Sequence, residues 1–371
     1  MKIAFIIQNY NYHGGAQKTA SIAQHLQSLG HEVTIIVIRC DEGDLESRPN
    51  HFLNTIDLNA SGLLSSILKL AKIFRETQYD IFICIGGYSN LSVGLAKFLT
   101  RSSKPIIGSE NFAKSVLIGD YPKLLLRLSL PLFRFAYTKL NGLLFVSDSL
   151  RLEFLKKNSW HPSRCITIYN PVLFSKIKHK ENLKNKASEF TFLGVGVLEP
   201  RKRFDLLLKS FAIVTLTNPR DKLLIAGTGS QKNKLQNLAK KLGIESQVRF
   251  LGFVENVDEL MQESDVLVLT SNSEAFGMVL VEGLAAGLQV VSTNSFSGPA
   301  EVLGNGRYGY LAKVDDIKSI VSSMKAAKDN PIPREIISEG ASRFEVDYIA
   351  NKYLEFIAEV MKSSGNLNDS I

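Results

Sequence analysis

The segment Asp265-Val-Leu-Val-Leu-Thr-Ser-Asn-Ser-Glu274-Ala-Phe-Gly-Met-Val-Leu-Val-Glu282-Gly-Leu-Ala-Ala-Gly287 decides how the rest of the sequence is interpreted. It begins with a β-branched and leucine-rich run, typical of a buried parallel strand, and continues into an alanine- and glycine-rich run with helical spacing. Glu274 is predicted at the start of that helix and Glu282 about two turns further in. The sequence thus predicts two carboxylates roughly 12 Å apart along a helix axis.

The start of this helix is a candidate anion site. Backbone N–H groups of Phe276, Gly277 and Met278 are the donors that a first helical turn leaves unpaired, so they are suited to bind a phosphate. A carboxylate beside a bound anion is repelled by it, so we expect both glutamates to bind hydroxyl groups instead. Either glutamate alone is explained more simply as a helix-end or solvated charge. Their combination with Gly283, Ala285, Ala286 and Gly287 favours a ligand site.

Composition indicates a globular protein of two domains. The chain has 371 residues, of which 45% are hydrophobic and 22% charged. Three scattered cysteines, Cys40, Cys84 and Cys165, indicate neither a disulfide framework nor a zinc site. The first apolar run is too short for a signal-peptide core, and no run reaches the ~18 residues of a membrane span. We therefore expect a cytoplasmic protein.

Positive charge is concentrated in one part of the sequence. The net charge is +8, and residues 97–139 contain eight basic and only two acidic side chains. Leucine and phenylalanine alternate with these bases in 121–137, as in helices that lie on a membrane surface. This pattern predicts contact with an anionic membrane, although a core helix with a basic outer face remains open. Nucleic acid is not expected, because no recognition motif accompanies the charge.

Strands and helices alternate in both halves of the chain, which predicts two doubly wound domains. The first half opens with a strand from Lys2, the glycine turn Gly14-Gly15 and a helix ending at Gly30. We predict an N-terminal domain over 1–171, a lysine-rich linker over 172–189 and a second α/β domain over 190–342. A last helix from Arg343 is expected to return to the first domain, followed by a mobile tail.

The spacing Glu274 to Glu282 resembles the Glu-seven-residues-Glu signature of retaining GT-B glycosyltransferases of family 4. The resemblance implies a GT-B fold in which Glu274 touches the donor sugar and Glu282 holds the ribose hydroxyls. It also matches Lys202 to a lysine that contacts the diphosphate, while the arginine of the same motif falls on Val197. Phe253 falls in the segment that lines the base pocket.

The resemblance extends more sparsely into the first half. Gly15 corresponds to a donor contact, and Gln17, Glu110 and Asn111 are acceptor-side candidates. Many family members carry a histidine in the loop that matches Ser109-Glu110-Asn111, and this sequence has none there. Whatever that histidine does must be done by Glu110 or Asn111, or not at all; loop polarity explains both equally well.

The resemblance implies a retaining, metal-independent enzyme that moves a sugar from a nucleotide-sugar, expected to be a UDP-sugar, to a hydroxyl of a glycan or lipid-linked glycan. No cofactor is expected, and Glu274 and Lys202 are the predicted catalytic residues. Weak motif similarities suggest an N-acetylhexosamine donor and a role in bacterial surface polysaccharide or lipopolysaccharide assembly at the inner face of the membrane. A catalytically silent nucleotide-sugar binder remains the alternative. A Rossmann dehydrogenase is disfavoured, because the first turn lacks Gly-x-Gly-x-x-Gly.

Overall fold

The computed structural model describes residues 1–10, 14–39, 53–76, 78–111, 131–158, 160–172 and 189–365. The chain forms two compact units, Met1–Leu173 with Phe344–Ile371, and Phe174–Arg343. Most of the predicted linker, the end of the predicted tail and much of the basic segment of 97–139 lie outside the described residues.

The first unit contains a parallel sheet of seven strands in the order β3-β2-β1-β4-β5-β6-β7. Its strands are β1 Lys2–Ile7, β2 Glu32–Val37, β3 Asn54–Asp57, β4 Ile81–Ile85, β5 Ile106–Glu110, β6 Gly142–Phe145 and β7 Cys165–Thr167. Its helices include α1 Gly14–Ser28, α2 Leu63–Glu76, α3 Gly87–Thr100 and α4 Asp148–Lys157. All five residues of β4 are buried, as expected for a central strand covered on both faces.

The second unit contains a parallel sheet in the order β10-β9-β8-β11-β13-β15. The strands of this unit are β8 Thr191–Val195, β9 Lys222–Ala226, β10 Val248–Gly252, β11 Val266–Leu269, β12 Ser273–Glu274, β13 Gln289–Thr293, β14 Phe296–Ser297 and β15 Tyr310–Ala312. Its helices are α5 Phe204–Val214, α6 Lys232–Lys241, α7 Val257–Glu263, α8 Met278–Ala285, α9 Pro299–Val302, α10 Ile317–Asp329 and α11 Arg334–Ser342. Two parallel, doubly wound α/β domains confirm the predicted fold class.

The last helix, α12 (Val346–Ser363), belongs to the first unit and packs against α1. Its buried face includes Ile349, Tyr353 and Phe356, which lie three or four residues apart and therefore on one side of the helix. Gly142 at the start of β6 allows this close packing, because a Cβ there would lie 2.8 Å from Phe356 Cζ. Within the described part of the chain, no helix is long and apolar enough to cross a membrane.

Each sheet has one point where the strand order reverses, and these points position the candidate sites. The reversal lies between β1 and β4 in the first unit and between β8 and β11 in the second. Loops that leave the carboxyl ends of the two central strands diverge there, one toward each face of the sheet. The crevice between them is where open parallel sheets bind ligands.

Packing of α3 depends on a glycine. A Cβ at Gly94 would lie 2.3 Å from the carbonyl oxygen of Ala136, in the helical segment 131–137. Since that oxygen is backbone, Gly94→Ala should force the helices apart and lower the free energy of unfolding by about 1–3 kcal/mol, despite alanine's higher helix propensity. Fluorescence of Trp160, the single tryptophan, during urea titration reports on this unit.

Gly62→Ala is the matched control, because a Cβ at Gly62 would meet no atom within 4 Å. We expect this variant to be as stable as the wild type. Equal midpoints for both variants would contradict the packing described for α3.

Candidate active site

Lys202 and Glu274 meet at the strand-order reversal of the second unit. Lys202 ends a short 3-10 turn, Pro200–Lys202, in the loop after β8, and Glu274 lies in β12, in the loop after β11. Lys202 Nζ forms an ion pair with Glu274 Oε1. The side chains are only 14% and 10% exposed, so the two charges neutralise each other in a largely dehydrated position.

Glu274 Oε1 accepts further hydrogen bonds from the same two loops. The Ser271 hydroxyl donates to it at 2.8 Å, and Arg201 Nη1 lies 3.4 Å away. Arg201 Nη1 also donates to the carbonyl oxygen of Ser273 at 2.7 Å. The carboxylate is therefore held by partners on both sides, and its position is fixed before any ligand binds.

The first turn of α8 differs from the sequence prediction. Helix α8 begins at Met278, not near Glu274, because Gly277 adopts a left-handed φ of 87° immediately before it. Glu282 is therefore the fifth helical residue, only about one turn in. The N–H groups of Gly277 and Met278 make no hydrogen bond within the described residues, which leaves them able to bind an anion.

Phe276, the first residue of the predicted anion site, packs against a neighbouring turn. Its side chain is buried, and a Cβ at Gly298 would lie 2.2 Å from its Cα. The backbone of Phe276 is thus packed tightly against the turn at Gly298. This contact holds the loop that leads into α8.

Glu282 has an unusual electrostatic environment. Burial, together with the nearby carboxylate of Asp258 on α7, raises the pKa of Glu282 to about 7, and the charge of Lys202 opposes this rise only partly. The residue is not fully enclosed, and no hydrogen bond to its carboxyl group is found within the described residues. Lys202 therefore lies near both glutamates of the motif, and Glu282 retains its hydrogen-bonding capacity for a ligand.

The two arginines that flank Lys202 point to different places. Arg201 reaches the Ser273–Glu274 loop, whereas Arg203 pairs with Asp205 and Asp315. Val197, where the family motif has arginine, is exposed. Arg201 is thus the second cation next to Lys202. The sequence alone does not show which of the two arginines takes this position.

Phe253 follows β10 and is 74% exposed, an unusual exposure for an aromatic side chain.

Ser271 and Asp258 join the site although the sequence prediction did not include them. The run Ser271-Asn-Ser-Glu274 contained a signal for Ser271, because short polar residues in a loop often hydrogen-bond a neighbouring carboxylate. The sequence offered no signal for Asp258.

In the first unit, Gly15 and Gln17 lie at the start of α1 and are exposed. Among the described residues, no atom lies within 4 Å of a Cβ built at Gly15, so they leave room there for a ligand. Lys18, one residue further, is fully buried, and its burial lowers its pKa to about 7. Its Nζ donates to Asn111 Oδ1 at 3.2 Å.

Glu110 belongs to a buried polar cluster at the carboxyl end of β5. The Tyr137 hydroxyl donates to Glu110 Oε1, and Asn90 Nδ2 donates to the same oxygen at 3.0 Å. Ser109 Oγ donates to Asn111 Oδ1 at 3.2 Å. The structure thus gives Glu110 and Asn111 defined partners within the unit, which sequence-based loop polarity did not predict.

Comparison with known proteins agrees with this geometry. The family model for glycosyl transferases group 1 matches residues 175–344, and the model for glycosyltransferase family 4 matches residues 12–173. The chain is a GT-B glycosyltransferase. Together the two family models cover all the candidate residues described above and every strand except β1.

One relative and two solved structures illustrate the similarity. The enzyme is 27% identical over 374 residues to a Campylobacter jejuni α-1,4-N-acetyl-D-galactosaminyltransferase whose named substrate is GalNAc-α-(1→4)-GalNAc-α-(1→3)-diNAcBac-PP-undecaprenol, covering 97% of this chain and 99% of that protein. Its fold matches the lipopolysaccharide outer core galactosyltransferase WaaB with a TM-score of 0.79 at 20% identity, covering 97% and 99% of the two chains. HepE from Anabaena, in complex with UDP and glucose, matches with a TM-score of 0.78 at 20% identity over 97% and 100%.

Side chains that could bind a metal are not grouped in the described parts of the enzyme. No cluster of three or more histidine, cysteine, aspartate or glutamate residues is found there.

The raised pKa of Glu282 predicts a pH-dependent stability. The folded protein favours the protonated carboxyl group up to about pH 7, whereas an unfolded chain ionises near its ordinary pKa of 4.5. The free energy of unfolding should therefore fall as pH rises through this window. Glu282→Gln, which resembles the protonated form, should be about 1–2 kcal/mol more stable than wild type at pH 8 and equally stable near pH 4.

Thermal unfolding followed by circular dichroism at both pH values tests this expectation. Glu263→Gln on α7 is the control, because Glu263 is exposed. This variant should be as stable as the wild type at both pH values. If the difference in stability between wild type and Glu282→Gln were the same at all pH values, the raised pKa of Glu282 would be contradicted.

Proposed function

We propose that this glycosyltransferase is a retaining enzyme that needs no metal and transfers a sugar from a UDP-sugar to a hydroxyl group of a lipid-linked glycan. The observation that carries the proposal is the grouping of Lys202, Glu274 and Glu282 beside the open first turn of α8. An anion site, a fixed cation and two carboxyl groups within one crevice suit a ligand with a diphosphate and several hydroxyls. A nucleotide-sugar has both.

In this proposal the diphosphate binds at the N–H groups of Gly277 and Met278, with Lys202 beside it. Glu282, one turn along α8, accepts from the ribose hydroxyls, and Glu274 accepts from hydroxyls of the donor sugar. Exposed Phe253 offers a face for the base. Gly15, in the glycine turn of the first unit, is a further proposed donor contact. UDP in complex with HepE, a protein of the same fold, supports the choice of nucleotide.

The reaction proceeds on one face of the donor sugar. The bond between the anomeric carbon and the β-phosphate oxygen breaks, and the acceptor oxygen forms a bond to that carbon from the same side. The acceptor proton passes to the departing phosphate oxygen. Lys202 stabilises the negative charge that grows on the diphosphate, so the protein contributes positioning and electrostatics and needs no nucleophile.

The acceptor is proposed to be a glycan on a polyprenyl diphosphate, and the donor to carry an N-acetylhexosamine. The Campylobacter jejuni relative, which acts on a PP-undecaprenol glycan and transfers N-acetylgalactosamine, supports both choices. Gln17, Glu110 and Asn111 are the proposed acceptor-side residues of the first unit. Because Glu110 and Asn111 are hydrogen-bonded by neighbouring side chains, we propose that they fix the position of the loop after β5.

The donor site is tested by separating binding from chemistry. Lys202 faces charge that develops as the glycosidic bond breaks, so Lys202→Ala should lower the single-turnover transfer rate at least ~100-fold with a smaller effect on donor affinity. Glu274→Gln should retain UDP binding and lose transfer to a similar extent. A thermal-shift screen of UDP- and GDP-sugars identifies the donor. The transfer rate is then measured with labelled donor and with lipid-linked glycans extracted from membranes of the source organism.

Lys222→Ala removes an equivalent positive charge from the amino end of β9 and should transfer normally. Near-normal transfer by both site variants would contradict the proposed site. Wild-type protein that binds a UDP-sugar but never transfers it would instead support a silent nucleotide-sugar binder.

Peripheral membrane contact is part of the same proposal, and the first unit has a surface suited to it. Phe98 on α3 and Phe135 are 55% and 38% exposed and pack edge to face, with ring centroids 4.9 Å apart. Lys139 Nζ lies 5.2 Å and 4.7 Å from the two ring centroids. Exposed aromatic rings beside a lysine can enter the interface of an anionic bilayer.

Phe98→Ser with Lys139→Glu should reduce binding to phosphatidylglycerol-containing vesicles about tenfold or more. Burial of one phenylalanine contributes about 1.5–3 kcal/mol, and each basic residue near an anionic surface about 1 kcal/mol. Vesicle co-sedimentation at low salt measures the effect. Leu216→Ser with Lys318→Glu is the control, because it changes two exposed residues of the same types in the second unit; it should bind vesicles as wild type does. Equal loss of vesicle binding by both double variants would contradict the membrane role of Phe98 and Lys139.

A further inference from the structure

A groove of about 1000 Å3 lies on the second unit between α5 and α6. The beginning of α5, one face of α6 and the turn at 199–203 form its walls. Lys202, Glu274 and Glu282 do not line it, so the groove lies beside the proposed donor site and does not include its three main residues. Its volume is at the upper end of the range for ligand sites and far exceeds that of a single small anion.

The groove is positively charged. Five cations line it, namely Arg201, Arg203, Lys209, Lys234 and Lys241, against the two acids Glu199 and Asp205. Both acids are already engaged. Glu199 accepts from the N–H and hydroxyl of Ser230 at 3.0 Å and 2.9 Å, and Asp205 accepts from Arg203 at 3.0 Å and from Lys209 at 3.5 Å.

The positive charge that remains comes mainly from α6. This helix, with the sequence Lys-Asn-Lys-Leu-Gln-Asn-Leu-Ala-Lys-Lys, has four lysines and no acidic residue. Lys234, Asn237 and Lys241 are three and four positions apart, so they form one row facing the groove. Lys234 and Lys241 have no acidic partner in the part of the chain that the structure describes. Their Cα atoms are roughly 10 Å apart along the helix axis.

We propose that this groove binds an acidic oligosaccharide. Two lysines roughly 10 Å apart suit an extended ligand with repeated negative charges better than a single phosphate. The amides of Gln231, Asn237 and Asn272 lie among the cations and can hydrogen-bond hydroxyl groups. Phe204 adds an apolar contact at one end, against which a sugar ring can pack.

Arg201 connects the groove to the proposed donor site. It lines the groove, and its guanidinium donates to the Ser273 carbonyl beside Glu274. An acidic chain in the groove would thus lie next to the loop that holds Glu274. The inference goes beyond the proposed function and is tested by binding alone, so its outcome does not depend on transfer activity.

Binding of a fluorescently labelled oligogalacturonate to the full-length protein, measured by anisotropy at low ionic strength, tests the proposal. Wild type should bind it, and the affinity should fall as salt is added, because the contacts are exposed. Lys234→Gln with Lys241→Gln should weaken binding about tenfold, the expected loss of two exposed charge contacts. A neutral maltooligosaccharide of the same length should not compete.

Lys232→Gln with Lys240→Gln is the matched control. It removes the same charge from the same helix at positions that do not line the groove, and it should change the affinity less than about twofold. Equal weakening by both pairs, or no binding by wild type, would overturn the proposal. Competition by inorganic tripolyphosphate at equal affinity would also overturn it, since the groove would then be a phosphate site.

Discussion

The ion pair between Lys202 and Glu274 joins two loops that are 72 residues apart in sequence. Thr270 Oγ1 donates to the carbonyl oxygens of Lys202 and Arg203, and the Asn272 N–H donates to that of Arg201. These contacts fix the loop after β8 to the loop after β11 at the strand-order reversal. Neither charge would be stable there alone, because an unpaired charge with so little exposure to water is costly. The ion pair and these hydrogen bonds together therefore set the geometry of the site.

The framework that carries this pair was largely predictable. The β-branched and leucine-rich run after Asp265 coincides with β11, and the opening run from Lys2 coincides with β1, because buried parallel strands are continuous apolar runs. The start of α8 was predicted too early. Ser273 and Glu274 instead pair with the strand β14, and Gly277 then turns the chain into the helix. That pairing is a non-local contact, which the spacing of residues within one segment cannot predict.

Partners of individual charges were the least predictable feature. Arg203 holds a left-handed backbone conformation with φ 50°, which typically costs a non-glycine residue about 1–2 kcal/mol. Its guanidinium pairs with Asp205 and with Asp315, 112 residues away, and these contacts offset the strain. The same pairing turns Arg203 away from Glu274 and leaves Arg201 to reach it. A run of three basic residues contains no local signal for this division.

The distribution of charge around Lys202 has a consequence for how an anionic donor would be received. Lys202 is already paired with Glu274, and the Asp258 carboxylate lies near Glu282, so an ionised Glu282 would add negative charge to the crevice and repel a diphosphate. With its pKa raised to about 7, Glu282 can hold a proton at little energetic cost near neutral pH. A neutral carboxyl group both removes the repulsion and can donate or accept hydrogen bonds with ribose hydroxyls. In the proposed binding mode, the burial that makes Glu282 a weak acid is thus what allows a carboxyl group to lie so close to a bound diphosphate.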